Sequence, residues 1–204
     1  MREVVIYVEG GGNTAHEKTR LRQGFEVFLQ PLKERAREKR MGWKLVCCGG
    51  REQTFRVFRR AVGEDRQRIV VLLVDAEGPV NETARVHLKR RDGWHIRSVN
   101  ENLIHLMVQV METWIVADPE VVANYYGKGF LKRALPRATD LERVAKAQIQ
   151  RGLTRASKPT QKGAYKKILH GGELLMRIDP EKVTSRCPHC ARLFSILSKL
   201  IQEA

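Results

Sequence analysis

The stretch Val4-Val5-Ile6-Tyr7-Val8-Glu9-Gly10-Gly11-Gly12-Asn13-Thr14 constrains the fold more than any other part of the chain. Its run of β-branched and aromatic residues reads as a strand buried on both faces. A carboxylate ends the run, and the glycines after it allow a sharp turn where a side chain would clash. A polar, helix-like segment starts at about Thr14. This order places Glu9 at the carboxyl end of a first strand, residues 3–8, at the mouth of an α/β sheet, where such sheets bind ligands.

Three further runs follow. Strand two, Trp43–Cys48, closes on Gly49-Gly50, and a helix from Arg51 to Val62 turns Phe55, Phe58 and Val62 inward. Strand three, Ile69–Val74, is aliphatic throughout, as a central parallel strand must be. It ends in Asp75-Ala76-Glu77, and in an extended chain residues 75 and 77 point to the same side. Strand four is His105–Val110, and Met111–Asp118 continues it as a helix or a bent strand.

The segment 14–40 reads as a helix with Leu21, Phe25, Phe28, Leu29 and Leu32 inward, kinked or split at Pro31. Residues 79–103 read as a long loop with one helical turn, and Trp94 within it is expected on the core rather than against a base. From Pro119, capped by Asp118, helices are expected near 119–126, 140–151, 164–177 and 188–203. The fold class is therefore α/β. A Rossmann-like, mostly parallel sheet of about four strands with helices on both faces fills residues 1–118, and a basic helical extension packed on it fills 119–204.

The chain carries 38 Lys and Arg against 23 Asp and Glu, a net charge of +15. A surplus that large favours a polyanionic partner such as nucleic acid, DNA or RNA. No apolar run approaches the roughly 20 residues needed to cross a bilayer, and Met1-Arg2-Glu3 lacks a signal-peptide pattern. A cytoplasmic protein without membrane contact is expected, with Cys47, Cys48, Cys187 and Cys190 as reduced thiols. The oligomeric state is open, a homodimer included.

Against this basic background, acids end three apolar runs: Glu9, the Asp75/Glu77 pair, and Glu112. Carboxylates gathered at one rim repel each other unless a cation neutralises them. Such oxygen ligands suit Mg²⁺ or Mn²⁺, which orient a phosphodiester and activate water. Glu112 has apolar neighbours on both sides and needs a partner. Lys18, Arg20 and Arg22 lie near the expected site, and Arg51 opens a helix at the same rim, as a phosphate ligand or an ordinary surface arginine. Lys162, Lys167 and His170 belong either to a substrate-facing basic helix or to packing with a salt bridge. Either of two arrangements would overturn the nuclease reading: Glu9 turned away from Asp75, or a lysine or arginine lodged between the acids as permanent counter-charge.

The Glu9-Gly10 turn after strand one and the Asp75-x-Glu77 pair after strand three resemble the Toprim domain of topoisomerases, primases and overcoming-lysogenization-defect nucleases. The resemblance implies a proton-transfer role for Glu9 and an Mg²⁺-binding role for Asp75 and Glu77, with glutamate at 77 where the motif has aspartate. A second resemblance covers nearly the whole chain. Tyr7-Val8-Glu9-Gly10-Gly11-Gly12, Cys48-Gly49-Gly50-Arg51, Leu73-Val74-Asp75-Ala76-Glu77, Met111-Glu112-Thr113-Trp114, Lys162-Gly163-x-Tyr165 and Ile178-Asp179-Pro180 are similar to a bacterial family catalogued as domain of unknown function 4276. That resemblance implies a Toprim-like fold and action beside an ABC-type ATPase in phage defence. Asn13 departs from the aspartate common at that position, which removes one negative charge. Together these imply a metal-dependent nuclease with Glu9 and Glu112 as catalytic acids and Glu9, Asp75 and Glu77 as metal ligands.

Other readings compete. Gly10-x-Gly12-x-x-Ala15 fits a dinucleotide fingerprint, but strand two ends in Cys47-Cys48-Gly49-Gly50 rather than in the acid that would bind ribose, and Glu9 would repel a pyrophosphate. There is no Walker A pattern. Cys187-Pro188-His189-Cys190 has zinc-like spacing, yet Pro188 also reads as a first-turn proline, and structural zinc is not expected. The alternative to an enzyme is a non-catalytic nucleic-acid-binding subunit that docks on an ATPase.

Overall fold

Four parallel strands form one sheet: β1 (Glu3–Val8), β2 (Gly42–Cys47), β3 (Arg68–Asp75) and β4 (Ile104–Met107), in the order β2-β1-β3-β4. The computed structural model describes residues 2–64, 68–96 and 98–204. The chain runs from β1 outward to β2, then crosses back to β3 on the other side of β1. The strand order therefore reverses between β1 and β3, and open α/β sheets bind ligands at the carboxyl ends of such a pair. Glu9 and Asp75 flank this point, because Val8 is level with Leu73 and β3 continues two residues further.

The period-two alternation of β3 sends its side chains into two cores. Val71 and Leu73 join one hydrophobic cluster, and Val70, Leu72 and Val74 join the other. The second, smaller core is closed by α3 (Arg51–Glu64) and α4 (Ala84–Asp92), with Phe55 stacked on Trp94 at 4.2 Å. Trp94 thus lies in the core, as expected. The first core is closed by α1 (Ala15–Phe28), α2 (Gln30–Glu38) and α5 (Met111–Ala117) and by the helices of the extension, α6 (Pro119–Tyr126), α7 (Lys146–Ser157), α8 (Lys167–Leu175), α9 (Pro180–Arg186) and α10 (Pro188–Glu203). Trp114 is fully buried there, stacked on Phe28 at 5.2 Å with Phe25 edge-on at 6.3 Å. Burying a side chain of that size stabilises by about 3 kcal/mol.

Several elements differ from the sequence reading. The helix over 14–40 is split at Leu29, with Pro31 in the first turn of α2, where its missing N–H costs nothing. Residues 84–92 form a nine-residue helix rather than a loop; Thr83 caps it, accepting from the Val86 N–H at 3.4 Å, and Gly93 ends it at φ 70°. Only Ala84, His87 and Leu88 of this helix are buried, so the apolar periodicity that marks a helix is faint. β4 stops at Met107, since Val108, Gln109 and Val110 turn away to start α5. The helix expected over 140–151 is a short 3-10 turn at Leu141–Arg143 and then α7, which runs six residues further. Helix α9 was not foreseen, although Asp179 caps it and Pro180 opens it.

Candidate functional site

The site is assembled by two glycine devices. After β1, Gly10, Gly11 and Gly12 all have positive φ, and Gly10 exchanges backbone hydrogen bonds with Gly49 at 2.8 and 3.0 Å, which ties the turn after β1 to the turn after β2. Thr14 and Glu17 then form a capping box that starts α1. The second device is a crossing of α1 over α8 at Gly24 and Gly172. A Cβ on Gly24 would lie 2.6 Å from the Gly172 carbonyl oxygen, and one on Gly172 would lie 2.5 Å from the Arg20 carbonyl oxygen. The backbones touch, and this contact sets the start of α8, with Lys167, against the carboxyl rim.

Glu9, Asp75 and Glu112 converge at that rim. The Asp75 N–H donates to Glu9 Oε2 at 3.2 Å, so Glu9 faces Asp75. Asp75 Oδ1 accepts from the Met111 N–H at 2.8 Å, which seats the first turn of α5 on β3. Asp75 Oδ2 accepts from Lys167 Nζ at 2.7 Å, and the same ammonium lies 3.7 Å from Glu112 Oε2. Glu112 is 2 % exposed. Its Oε1 takes a long bond from the Tyr165 hydroxyl at 3.4 Å, and its Oε2 has no hydrogen-bond partner.

Arg51 closes the other side. Nε and Nη2 grip Asp92 at 2.8 and 2.7 Å, and Nη1 donates to Glu9 Oε2 at 2.8 Å and to the Asp75 carbonyl at 2.6 Å. Four hydrogen bonds engage most of the five donors of a guanidinium. Its plane also lies over Trp94, 5.0 Å from the ring centroid. Glu77 sits further along the rim with φ 65°, a left-handed backbone uncommon for a residue with a side chain, and it pairs with Lys146. Gln109 links these pieces: its carbonyl accepts from the Glu77 N–H at 2.7 Å, and its side-chain oxygen accepts from the Lys146 N–H at 3.0 Å.

The electrostatics follow from burial. Desolvation raises the Glu9 carboxyl above its ordinary range, helped by the Asp75 charge and opposed by Arg51 and Lys167. Desolvation raises Glu112 too, with Lys167 opposing. Burial pulls Lys167 down, but Asp75 and Glu112 outweigh it, so the ammonium is held charged. Formally, Glu9, Asp75, Asp92 and Glu112 face Arg51, Lys167 and, at Asp92, Arg91, four negative charges against three positive.

Both sequence-based conditions therefore have answers. Glu9 does face Asp75, and a lysine and an arginine do stand among the acids. Among the described residues, no three His, Cys, Asp or Glu side chains are arranged to hold a metal ion between them. The rim is not a preformed cage. Magnesium often binds through one or two carboxylates, completed by waters and substrate phosphate. In that open mode Asp75 and Glu112, with Glu9 beside them, fit such an ion if Lys167 moves aside, and Glu112 Oε2, which has no hydrogen bond to give up, is the ligand atom most readily offered. Glu77 does not turn toward them.

The basic candidates scatter. Lys18 and Arg22 line a small cleft with Lys44 beside the edge strand β2. Arg20 is spent on the Leu169 carbonyl and Glu173, at 3.2 and 3.7 Å. Arg51 faces carboxylates rather than an open phosphate position. Lys162 is exposed and lies 5.0 Å from the Tyr125 ring centroid. His170 is corrected: it is 4 % exposed, packed among Tyr125, Tyr126 and Tyr165, and cannot reach a substrate. The Lys166 N–H donates to its Nδ1 at 3.2 Å and Tyr126 Oη lies 2.9 Å away, while burial and then Lys162 and Lys166 lower its pKa, so the ring is neutral. The four cysteines are buried free thiols, and His189 pairs with Glu142 at 2.6 Å.

Sequence reasoning missed Asp92, Lys146 and the position of Tyr165. Asp92 did carry a signal, as the lone acid in Lys89-Arg90-Arg91-Asp92-Gly93. Lys146 carried none. No helix of the described residues is long and apolar enough to cross a membrane. A search of curated proteins found no significant match, and a search of solved structures found none either. One family model matches residues 8–198, nearly the full chain. The chain belongs to the family described as domain of unknown function (DUF4276).

Proposed function

We propose that the chain is a metal-dependent phosphodiester hydrolase acting on nucleic acid. The observation that carries this reading is the buried acid cluster at the strand-order reversal, with one negative charge left over after Arg51, Arg91 and Lys167 are counted and one Glu112 oxygen without a hydrogen bond. Asp75 and Glu112 would hold an Mg²⁺ or Mn²⁺ ion. Such an ion supplies charge neutralisation on the phosphate and a more acidic bound water. Glu9, whose carboxyl is raised above its ordinary range by burial, is the group to hold or release a proton. Lys167, on a flexible stem and 38 % exposed, can leave the acids for a phosphate oxygen. The Toprim likeness of the Glu9 and Asp75 positions supports the reading, and on the family resemblance the chain would serve as the effector of an ATPase-linked phage defence in the cytoplasm.

A second reading has its own support. If Lys167 and Arg51 neutralise the rim permanently, the site is a structural salt-bridge cluster, and the chain is a basic nucleic-acid-binding subunit of an ATPase. Incubation with plasmid DNA and with total RNA, with Mg²⁺, Mn²⁺ or EDTA and with an ABC-type ATPase supplied as the candidate partner, separates the two. The nuclease reading expects cutting that needs the ion and disappears in Glu9→Ala and Asp75→Ala. Binding without cutting under every condition selects the second.

A further inference from the structure

Between Glu142 and Glu173 the chain carries eight Lys and Arg and no acid. The structure folds this run into a hairpin with both ends on the acid rim. Lys146, at the start of α7, pairs with Glu77, and Lys167, at the start of α8, pairs with Asp75. Between those anchors α7 is about 18 Å long, and the connector brings Tyr165 back to its far end, where the Tyr165 N–H donates to Ser157 Oγ at 2.7 Å and the hydroxyl reaches Glu112.

The outer face of α7 is not packed. Arg151, Arg155 and Lys158 recur along one side of the helix at spacings of four and three. All three are exposed, and among the described residues none has a carboxylate or a hydrogen-bond partner. They rim a shallow groove of about 810 Å³ whose floor includes Leu131, Ala134 and Gly152. The groove is built rather than incidental. A Cβ on Gly152 would lie 2.9 Å from the Ala134 carbonyl oxygen, so the glycine lets the wall segment lie directly on the helix, and the Leu131 N–H bonds the Ala156 carbonyl at 2.9 Å. No acid lines it.

We infer that this groove is an exosite for the backbone of a single-stranded nucleic acid, which it feeds toward the acid rim. The inference rests on the nucleic-acid reading above but not on cleavage. Cations repeating once per turn and free of acids match a regular row of phosphates. The apolar floor between them accepts sugars and base edges, which a strand offers and a duplex hides within its stack. The anchoring of both hairpin ends at the rim gives a bound strand one end at the carboxylates. An acidic protein segment is the competing occupant.

The test is equilibrium binding of a labelled single-stranded oligonucleotide of about 20 nucleotides, in EDTA and across a salt series. Each phosphate contact on a single strand contributes about 0.7 to the slope of log K against log salt. The triple variant Arg151→Ser, Arg155→Ser, Lys158→Ser is expected to lower the magnitude of that slope by about 2 and to weaken binding at least tenfold. A control triple of equal charge elsewhere, Arg35→Ser, Arg37→Ser, Lys199→Ser, should keep the wild-type slope. An unchanged slope in the groove variant, or an equal loss in the control, overturns the inference, as does a duplex of the same length that binds as tightly and loses as much. Cutting assayed separately keeps the two questions apart. Strand binding lost in the groove variant, with no cutting by wild type under any ion, leaves the exosite standing and removes the nuclease. Cutting with unchanged strand binding does the reverse.

Discussion

The α/β part, residues 1–118, and the extension, residues 119–204, divide the charge unequally. The first carries 21 Lys and Arg against 16 Asp and Glu, the second 17 against 7. The excess is not simply displayed on the outside. Lys146 meets Glu77, Lys167 meets Asp75 and Glu112, and Lys182 meets Asp118 at 2.9 Å. In each case the extension gives the cation and the α/β part the acid; Arg20 on Glu173 is a pair of opposite sense. The difference teaches that the acid rim is tolerable without bound metal because another part of the chain brings charge to it. Arg51 is the sheet's own contribution, and it is shared with Asp92. Whether the borrowed charge is permanent is the question on which the two functional readings divide.

The seam between the parts can be broken at its tightest point. Gly172→Leu forces a side chain into the Arg20 carbonyl, a backbone atom that cannot swing away, and should cost about 3 kcal/mol by thermal or urea unfolding. A loss below about 0.5 kcal/mol would mean that α8 is free to shift and that the crossing does not hold Lys167 in place.

Removing the borrowed charge itself is the next largest effect. Lys167→Met leaves Asp75 and Glu112 buried without their nearest cation and should cost about 2 kcal/mol in EDTA, less than a fully buried pair because the ammonium is partly solvated. Added Mn²⁺ should then raise the Tm of this variant more than that of wild type. Equal responses would show that the lysine and the ion do not compete for the rim.

The smallest expected effect sharpens the comparison from the acid side. Burial raises the Glu112 pKa in the folded state, so between the unfolded value, near 4.5, and the folded one the native protein binds the extra proton. The stability contribution is therefore most favourable at low pH and is lost as pH rises through the folded pKa. Glu112→Gln should stabilise the metal-free protein at pH 8 by about 1 kcal/mol, seen as a rise of about 3 °C in Tm, and the gain should vanish toward pH 4.5. A loss of stability at pH 8 would show that the charge of Glu112 is needed by Lys167 more than it is penalised by burial.

Much of this rim was legible before any coordinates. A parallel strand places its last residue at the carboxyl edge whatever its neighbours do, so Val4–Val8 and Ile69–Val74 were enough to locate Glu9 and Asp75. Glu112 was legible because a charge among Met111, Thr113 and Trp114 must be buried. The counter-charges were not. Lys146 and Lys167 lie 69 and 92 residues from their partners, and their pairing depends on Gln109 and on the Gly24–Gly172 crossing, which no periodicity announces. His170 misled because it falls in a basic run that reads as a substrate-facing helix, whereas the three tyrosines that enclose it come from two separate stretches of chain.

The backbone contact between α1 and α8 also bears on how the rim could ever open. Glycine on both sides leaves no cushion of side chains to compress, and one helix slides past the other only by losing that contact altogether. A hinge at this place has to break the backbone contact itself. The cheapest access to Asp75 and Glu112 is then rotation of the four-carbon stem of Lys167, which leaves the backbone crossing intact.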